Sequence, residues 1–432
     1  MKVRIHRGAH EIGGSCVELE SQGQRIVLDL GRPLSAQPGD VVPLPPVPGL
    51  DGQDKSLLGI VLSHVHQDHC GLMPQVAATV PCFVGERAAA ILREAAFFTG
   101  SKVVLTPAGY LRHRQPFQLG PFSITPLLND HSAFDAYSLL VEADGQRLFY
   151  TGDLRSHGRK AGLFEALLRD PPRPIDVLLM EGTHVSADSD GTERGCSEDD
   201  VERECLSAMR ASRGLALAIY SAQNIDRLVT LYRATVQANR EFVMDLYTAS
   251  VAQATGAASI PQAHWPKVRV YVPQAQRIAV KRAGEFDRVR ALGQSRIYAP
   301  ELRARRAELT MTFRLSMGRE LARDGCLDGA TAIWSLWPGY LESPSGHALL
   351  ELLDQHGVPL RVGHSSGHAF ISDLQRLVRA LTPRQVVPIH SAATDRFATF
   401  FDRVCRQVDG AWWSVQAPTT CHNSGGIHAC SL

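Results

Sequence analysis

The sequence contains no apolar run long enough to span a bilayer, no internal repeat and no C-x-x-C pair. A membrane-spanning helix is therefore not expected, because such a helix needs about 20 apolar residues to cross the hydrocarbon core. The nine cysteines are scattered, so we expect reduced thiols in the cytoplasm rather than a disulfide framework. The first residues read as a strand and not as a secretory signal.

A strong charge of one sign is also missing. Lys and Arg number 45 and Asp and Glu number 44, which gives a formal net charge of +1. The molecule as a whole gives no indication of a polyanionic partner, so any nucleic acid must bind a local basic groove. The 432 residues suffice for two or three domains, and the 44% hydrophobic content is ordinary for a globular protein.

Three histidines and one aspartate stand within six positions, at His64, His66, Asp68 and His69. An apolar run before them predicts a buried strand, and imidazole and carboxylate are ligands that suit zinc. Alternate side chains of a strand share a face, so we expect His64 and His66 to share one metal ion, with Asp68 and His69 serving a second. A polar loop with incidental histidines would be simpler, but the density of H-x-H-x-D-H argues against it.

Other strand-like runs also end in Asp or His. These residues are Asp29, Asp130 with His131, Asp153, and His390. Taken singly, each is more typical of a turn than of a ligand. Taken together with the cluster, they indicate one metal site assembled from several strand ends.

In this order and spacing, these residues resemble the motifs of metallo-β-lactamase-fold hydrolases. The resemblance implies two Zn²⁺ ions per chain, with Mn²⁺ or Mg²⁺ as alternatives. It implies a first ion held by His64, His66 and His131, and a second held by Asp68, His69 and His390. Asp153 would bridge the two ions, and Asp29 would orient the cluster without binding metal.

From about residue 195 to 350, strand-like and helical segments alternate, which predicts an α/β insert. Ser197 would cap its first helix. We therefore expect an αββα metallo-β-lactamase sandwich interrupted by an inserted α/β domain. The predicted domains are residues 1–190 and 353–418 for the sandwich, 191–352 for the insert and 419–432 for a tail containing Cys and His.

Such an insert resembles the β-CASP branch of these hydrolases, whose members are nucleases. Its three added motifs match Glu181, His368 and His390, and segments 152–160 and 220–227 agree as well. The resemblance is strongest to RNase J-like ribonucleases. Gly-Thr-His follows Glu181 where many relatives carry Ser-Thr, and the chain ends soon after His390. We therefore expect the C-terminal domain of RNase J to be absent, so the resemblance does not carry over RNase J's own dimerisation mode or substrate grip.

The resemblance implies a two-metal ribonuclease, acting as a 5′-3′ exonuclease, an endonuclease or both. Asp68 would orient the attacking hydroxide, and His368, held by Glu181, would protonate the leaving oxygen. A helix start that favours anions predicts phosphate binding at Ser365, Ser366 and Gly367. Further nucleic-acid contacts are expected at three basic residues that follow Asp153, namely Arg155, Arg159 and Lys160.

Three other functions stay open at this point. The first is a DNA nuclease in repair or defence, although His at position 390 goes with RNA-acting members of the resembled family. The second is a small-molecule thioesterase or lactonase, and the third is a binding subunit with a decayed site. We expect single-stranded RNA as the partner, with DNA as the alternative, no membrane, and a chain that could form a homodimer.

Overall fold

The computed structural model describes residues 1–37 and 39–415, which divide into two compact units. Within the described residues, unit 1 comprises 1–92, 102–194 and 367–415, and unit 2 comprises 93–101 and 195–366. The domain boundaries given above stay predictions. The tail of Cys and His at 419–432 lies outside the described residues.

Unit 1 contains two mixed sheets. Among the described residues, the first sheet has seven strands in the order β20-β1-β2-β3-β4-β5-β6, and the second has six in the order β19-β11-β10-β9-β8-β7. The strands of the first sheet are β1 (Lys2–Arg7), β2 (Cys16–Ser21), β3 (Gln24–Leu28), β4 (Leu57–Val61), β5 (Cys82–Gly85), β6 (Gly109–Leu111) and β20 (Trp412–Ser414). Those of the second are β7 (Phe117–Leu119), β8 (Phe122–Leu128), β9 (Tyr137–Ala143), β10 (Gln146–Tyr150), β11 (Val177–Glu181) and β19 (Gln385–Ile389).

The two sheets face each other across a shared apolar core. In β1, Val3 and Ile5 are fully buried while their neighbours are more exposed, as the period of two in a strand requires. They pack in one cluster with residues of the second sheet such as Ile124, Leu139 and Val141. Burial of these side chains on both inner faces holds the sheets together.

Helices cover the outer face of each sheet. They are α1 (Gln67–Cys70), α2 (Glu86–Thr99), α3 (Ala161–Arg169), α12 (Ile371–Leu381) and α13 (Phe397–Phe400). Ala88 of α2 packs with Val27 and Val84 of the first sheet. Phe164 of α3 and Leu374 of α12 belong to the apolar cluster on the second sheet. The predicted αββα sandwich is confirmed.

Unit 2 is built on one parallel sheet with the order β15-β14-β13-β16-β12-β17-β18. Its strands are β12 (Ala216–Ile219), β13 (Glu241–Asp245), β14 (Val268–Tyr271), β15 (Arg296–Ile297), β16 (Leu309–Thr312), β17 (Thr331–Trp334) and β18 (Leu360–Val362). Its helices are α4 (Glu198–Ala211), α5 (Ile225–Gln237), α6 (Leu246–Ala254), α7 (Gln274–Ala283), α8 (Asp287–Arg290), α9 (Ala299–Ala304), α10 (Gly318–Arg323) and α11 (Pro344–Gln355).

The first helix of unit 2 begins where the sequence predicts. The Ser197 hydroxyl accepts a hydrogen bond from the Asp200 amide at 3.1 Å, and the Asp200 carboxylate accepts one from the Ser197 amide at 2.8 Å. This reciprocal pair satisfies two amides that a helix start leaves without partners. No helix in the part of the chain that the structure describes combines the length and apolar composition needed to span a bilayer.

A buried ion pair joins α4 to α5 inside unit 2. Arg227 donates to both carboxylate oxygens of Glu198, at 3.0 and 3.2 Å, and both side chains are buried. Arg227 also donates to the carbonyl oxygens of Ser335 and Gly363. The guanidinium therefore links the two helices to the ends of β17 and β18.

We predict that Arg227→Met destabilises unit 2 by about 3–5 kcal/mol, because it leaves the Glu198 carboxylate buried without its counter-ion. Hydrogen exchange of the β12 and β17 amides measures this change. Arg290→Met, which breaks an exposed pair with Asp287, is the control and should change little. The prediction fails if the double variant Glu198→Gln/Arg227→Met is no more stable than Arg227→Met alone.

Candidate metal centre

The predicted ligands lie at one edge of the two sheets of unit 1. The strands β3 and β4 run parallel in the first sheet, as do β10, β11 and β19 in the second. Carboxyl ends of parallel strands meet at the same edge of a sheet, so residues that follow them converge. The residues placed at or just after these ends are Asp29, His64, Asp153, Glu181 and His390.

His64, His66, His131 and Asp153 form the first ligand group. Each offers one ligand atom, and these atoms lie within 4.8 Å of one another. Nε2 of His131 is 3.2 Å from Nδ1 of His66. Two nitrogens bound to one tetrahedral zinc, each at about 2.0–2.1 Å, lie about 3.3–3.4 Å apart. The spacing of the two imidazoles therefore fits a shared cation.

Asp68, His69, Asp153 and His390 form the second ligand group, again with ligand atoms within 4.8 Å of one another. Nε2 of His390 is 3.2 Å from Oδ2 of Asp68, and Nε2 of His69 is 3.2 Å from Oδ2 of Asp153. Asp153 belongs to both groups. The structure thus brings together all seven residues that the sequence predicts as ligands.

The route by which His64 and His66 meet differs from the expected one. β4 ends at Val61, so His64 lies in a loop and His66 immediately precedes α1. The strand ends early because the Ser63 amide and hydroxyl donate to the Asp29 carboxylate, at 2.6 and 2.7 Å, and not to a neighbouring strand. The loop and the helix start, rather than strand alternation, direct the two imidazoles to one point.

The hydrogen bonds of the histidines fit a metal centre. In each case Nδ1 is engaged by a group outside the two ligand groups: His64 by Ser63 Oγ (3.0 Å), His69 by Asp29 Oδ2 (2.7 Å), His131 by the Gly367 carbonyl (2.6 Å) and His390 by Thr183 Oγ1 (2.9 Å). Metal-binding histidines commonly donate their second ring nitrogen in this way, which leaves Nε2 to bind the cation. His66 is reversed, with Nδ1 facing the first group.

Several buried atoms inside the cluster lack a hydrogen bond within the described residues. They are Nε2 of His64, Nε2 of His69 and both carboxylate oxygens of Asp153. Leaving a buried carboxylate without hydrogen bonds is costly, so native structures rarely do so without a reason. A divalent cation would satisfy all four atoms, and the residues present therefore fit a metal.

The electrostatics of the cluster also favour a cation. Burial holds the pKa of His64 and of His131 well below the usual value, so both imidazoles are neutral and able to bind metal. Burial alone would raise the pKa of Asp153, but His390 and His69 outweigh it and hold that pKa well below its usual range. Asp153 is therefore ionised, which is the state in which a carboxylate binds a cation.

Asp29 lies beside the cluster but in neither ligand group. Its buried carboxylate accepts hydrogen bonds from His69 Nδ1 and the Tyr150 hydroxyl, both at 2.7 Å, in addition to those from Ser63. Asp29 and His390 both have left-handed backbone, with φ of +58° and +54°. This conformation is uncommon outside glycine and is often held at functional sites by the surrounding structure.

Glu181, Thr183 and His368 lie next to the second ligand group. Nδ1 of His368 is 3.1 Å from Oε2 of Glu181 and 3.1 Å from Oγ1 of Thr183. Burial alone would lower the pKa of His368, but the carboxylates of Glu181 and Asp153 outweigh it and raise the pKa to about 9. His368 is therefore protonated near neutral pH when no cation is nearby.

The residues predicted to bind phosphate have different surroundings. Ser365 is buried, and its hydroxyl donates to Glu198 at 3.2 Å within unit 2, so a phosphate contact by this side chain does not fit the structure. Ser366 is only partly buried. A Cβ on Gly367 would lie 2.9 Å from Ser132 Oγ, which explains why glycine occupies a position whose carbonyl must reach His131.

The surroundings of Arg155 do not favour the predicted nucleic-acid contact. Its side chain is fully buried, and Nε lies 3.3 Å from Oδ1 of Asp130, so the guanidinium is paired with a buried carboxylate. Lys160 donates to the carbonyl oxygen of His131 at 3.0 Å and, like Arg159, is partly buried. For Arg159 and Lys160 the contact stays a prediction.

Sequence reasoning did not find Ser63, Tyr150 or Thr183. Each supplies a hydroxyl that binds a ligand histidine or Asp29. A local signal exists for Ser63 and Thr183, since each lies within two residues of a predicted site residue at a strand end. Tyr150 carries no such signal, because an aromatic residue that ends an apolar strand is usually part of the core.

Two domain families match the chain. A beta-lactamase superfamily domain matches residues 25–217, and a Zn-dependent metallo-hydrolase RNA specificity domain matches residues 360–401. The second match contains both His368 and His390. The matched segments thus contain every residue of the two ligand groups.

Known proteins with similar sequences include one RNase J-like protein and proteins named ribonuclease J. An RNase J-like protein of Methanocaldococcus jannaschii is 22% identical over 69% of this chain and 69% of its own length. Ribonuclease J of Mycobacterium tuberculosis is 23% identical over 90% of this chain and 68% of its own length. Ribonuclease J of Corynebacterium glutamicum is 24% identical over 89% of this chain and 52% of its own length.

One solved structure resembles nearly the whole chain. It is a protein of unknown function from Enterococcus faecalis, with a TM-score of 0.75 and 19% identity over 95% of this chain and 99% of the other. At this level of identity the likeness establishes the fold alone.

We predict that a metal ion stabilises unit 1 selectively. Chelation should speed hydrogen exchange in β4 and β19, whereas β12 of unit 2 serves as an internal control and should not respond. A cation at about 100 times its dissociation constant would contribute about 2.7 kcal/mol. Asp153→Ala, which removes the residue shared by both groups, should lose most of this response. Equal exchange of β4 and β19 with and without chelator would contradict a metal site.

Proposed function

We propose that this chain, which is similar in sequence to RNase J-like proteins and matches a beta-lactamase superfamily domain, hydrolyses RNA phosphodiester bonds with two zinc ions. The observation that carries the proposal is the position of His368. Its imidazole is bonded to Glu181 and lies 3.8 Å from Asp153, the carboxylate common to both ligand groups. Phosphodiester hydrolysis requires cations that activate water and a general acid that protonates the leaving oxygen, and this arrangement would provide both.

Each ligand group would hold one ion. His64, His66 and His131 would bind the first, and Asp68, His69 and His390 the second, with Asp153 between them. When bound, two such ions supply the Lewis acidity that activates water and offsets charge on the phosphodiester. Asp29 orients His69 through its hydrogen bond to Nδ1.

The protein's own residues would then orient the attacking water and protonate the leaving oxygen. His368 gives a proton to the leaving oxygen from Nε2, because its Nδ1 is held by Glu181 and Thr183. The carboxylates of Glu181 and Asp153 outweigh burial and raise the pKa of His368 to about 9, so the ring carries the proton that it would give to the leaving oxygen. Asp68, at the mouth of the second group, orients the attacking water.

RNA is favoured over DNA by the match of residues 360–401 to an RNA specificity domain. A small-molecule ester hydrolase is the alternative that the metal groups alone would allow. Such an enzyme needs the two cations but has no use for the Glu181–His368 pair, which is built from two distant segments. We place the enzyme in the cytoplasm, where the free thiols of its described residues stay reduced.

We predict that single-stranded RNA is cut faster than DNA of the same sequence, and that His368→Ala lowers kcat on RNA by about 10²–10⁴-fold with little change in KM. His356→Ala, at an exposed histidine after α11, is the matched control and should keep the full rate.

RNA labelled at either end separates 5′-3′ exonuclease from endonuclease in the same assay, since mononucleotides appear first from the 5′ end in the exonuclease mode. Faster cleavage of DNA would overturn the choice of RNA. Ester turnover together with an unchanged rate on RNA in His368→Ala would overturn the proposed role of His368.

We also predict about two zinc ions per chain by elemental analysis, as a two-metal site requires. Asp153→Asn should retain one ion or none, because both groups lose a ligand. Asp287→Asn, at an exposed aspartate of unit 2, should retain both. A wild-type protein that saturates at one zinc ion would rule out the two-metal assignment.

A further inference from the structure

Thr183 lies at a point where two functions of the site meet. It follows β11 by two residues, and its Oγ1 is 2.9 Å from Nδ1 of His390 and 3.1 Å from Nδ1 of His368. One of these imidazoles belongs to the second ligand group, and the other is the proposed acid. A single hydroxyl thus touches both.

The chemistry of His390 fixes the direction of the first hydrogen bond. Nε2 of His390 points into the second ligand group, 3.2 Å from Asp68 Oδ2 and 3.9 Å from Asp153 Oδ1. An imidazole that binds a cation through Nε2 carries its proton on Nδ1. Nδ1 must therefore donate, and Thr183 Oγ1 is the oxygen that accepts.

The same hydroxyl oxygen has a second lone pair, which can accept from Nδ1 of His368. That nitrogen also lies 3.1 Å from Oε2 of Glu181, so its proton is directed between a carboxylate and a hydroxyl. With Nδ1 held in this way, Nε2 of His368 is the nitrogen to which the function proposed above assigns proton donation.

Thr183 is itself held firmly. Its amide donates to Oε2 of Glu181 at 3.3 Å. The preceding Gly182 packs so closely on Phe397 that an added Cβ would lie 2.2 Å from the ring. These contacts hold the backbone at Thr183, and so they hold its hydroxyl between the imidazoles of His390 and His368.

We propose that Thr183 is a positioning residue that sets the tautomers of His390 and His368 together, and so couples occupancy of the second metal site to the orientation of the proton donor. The catalytic half of this inference rests on the function proposed above. The metal-binding half concerns His390 alone and holds whatever the substrate is.

The test compares Thr183→Val, which keeps the shape and removes the hydroxyl, with Thr183→Ser, which keeps the hydroxyl. Thr394→Val is the matched control, because Thr394 Oγ1 makes a similar contact with His10 Nδ1 at 3.2 Å, outside the ligand groups. Zn²⁺ affinity is measured by competition with a chromogenic chelator, and kcat and KM are measured on single-stranded RNA.

We expect Thr183→Val to weaken binding of one of two Zn²⁺ equivalents by about 10–100-fold, the usual effect of losing a hydrogen bond to a ligand histidine. It should also lower kcat more than KM, whereas Thr183→Ser and Thr394→Val stay close to wild type. Wild-type zinc affinity in Thr183→Val, or a Thr183→Ser as weak as Thr183→Val, would overturn the proposal.

Failure of the proposed function gives a different result. A wild-type protein that binds two Zn²⁺ ions and does not cut RNA would refute the ribonuclease. The zinc affinities of Thr183→Val and Thr183→Ser would still decide whether the hydroxyl holds His390.

Discussion

The need to neutralise a buried, crowded set of imidazoles and carboxylates governs the structure of unit 1. Asp153 is the centre of this constraint, since both its oxygens are buried without a hydrogen bond among the described residues and both ligand groups include it. Such a carboxylate is tolerable only beside positive charge. The ends of β3, β4, β10, β11 and β19 lie at one edge of the two sheets, so the residues that would bind positive charge converge around Asp153.

Besides the ligands, the site needs hydrogen-bond acceptors that orient the ligand histidines. Each histidine that offers Nε2 needs an acceptor for Nδ1, and the acceptors come from four separate places: Ser63, Asp29, Gly367 and Thr183. Two of the residues involved, Asp29 and His390, adopt left-handed backbone, which costs on the order of 1–3 kcal/mol each. Packing of the sandwich holds these conformations, so the geometry of the site depends on the rigidity of the core.

The residues that the resemblance implies as ligands are brought together in the structure, and part of this convergence is visible in the sequence as the dense H-x-H-x-D-H stretch and as Asp or His after several apolar runs. The cap at Ser197 could be predicted because capping involves only neighbours. The burial of Arg155 could not be foreseen, because a cationic side chain beside a ligand suits a phosphate and a buried carboxylate equally well, and its partner Asp130 is 25 positions away. Thr183 stands two residues after Glu181, which is a local signal, but the histidines that its hydroxyl contacts lie 185 and 207 positions further along the chain, so its role could not be read from the neighbouring sequence.

The spread of the ligands along the chain imposes an order on synthesis. The first group is complete once Asp153 has been made, but the second waits for His390, and all of α4 to α11 is translated in between. A chain at that stage carries all four residues of the first group, but it lacks both Gly367, whose carbonyl holds His131, and His390 of the second group. Since the proposed reaction would use both groups, it would have to await the translation of β19.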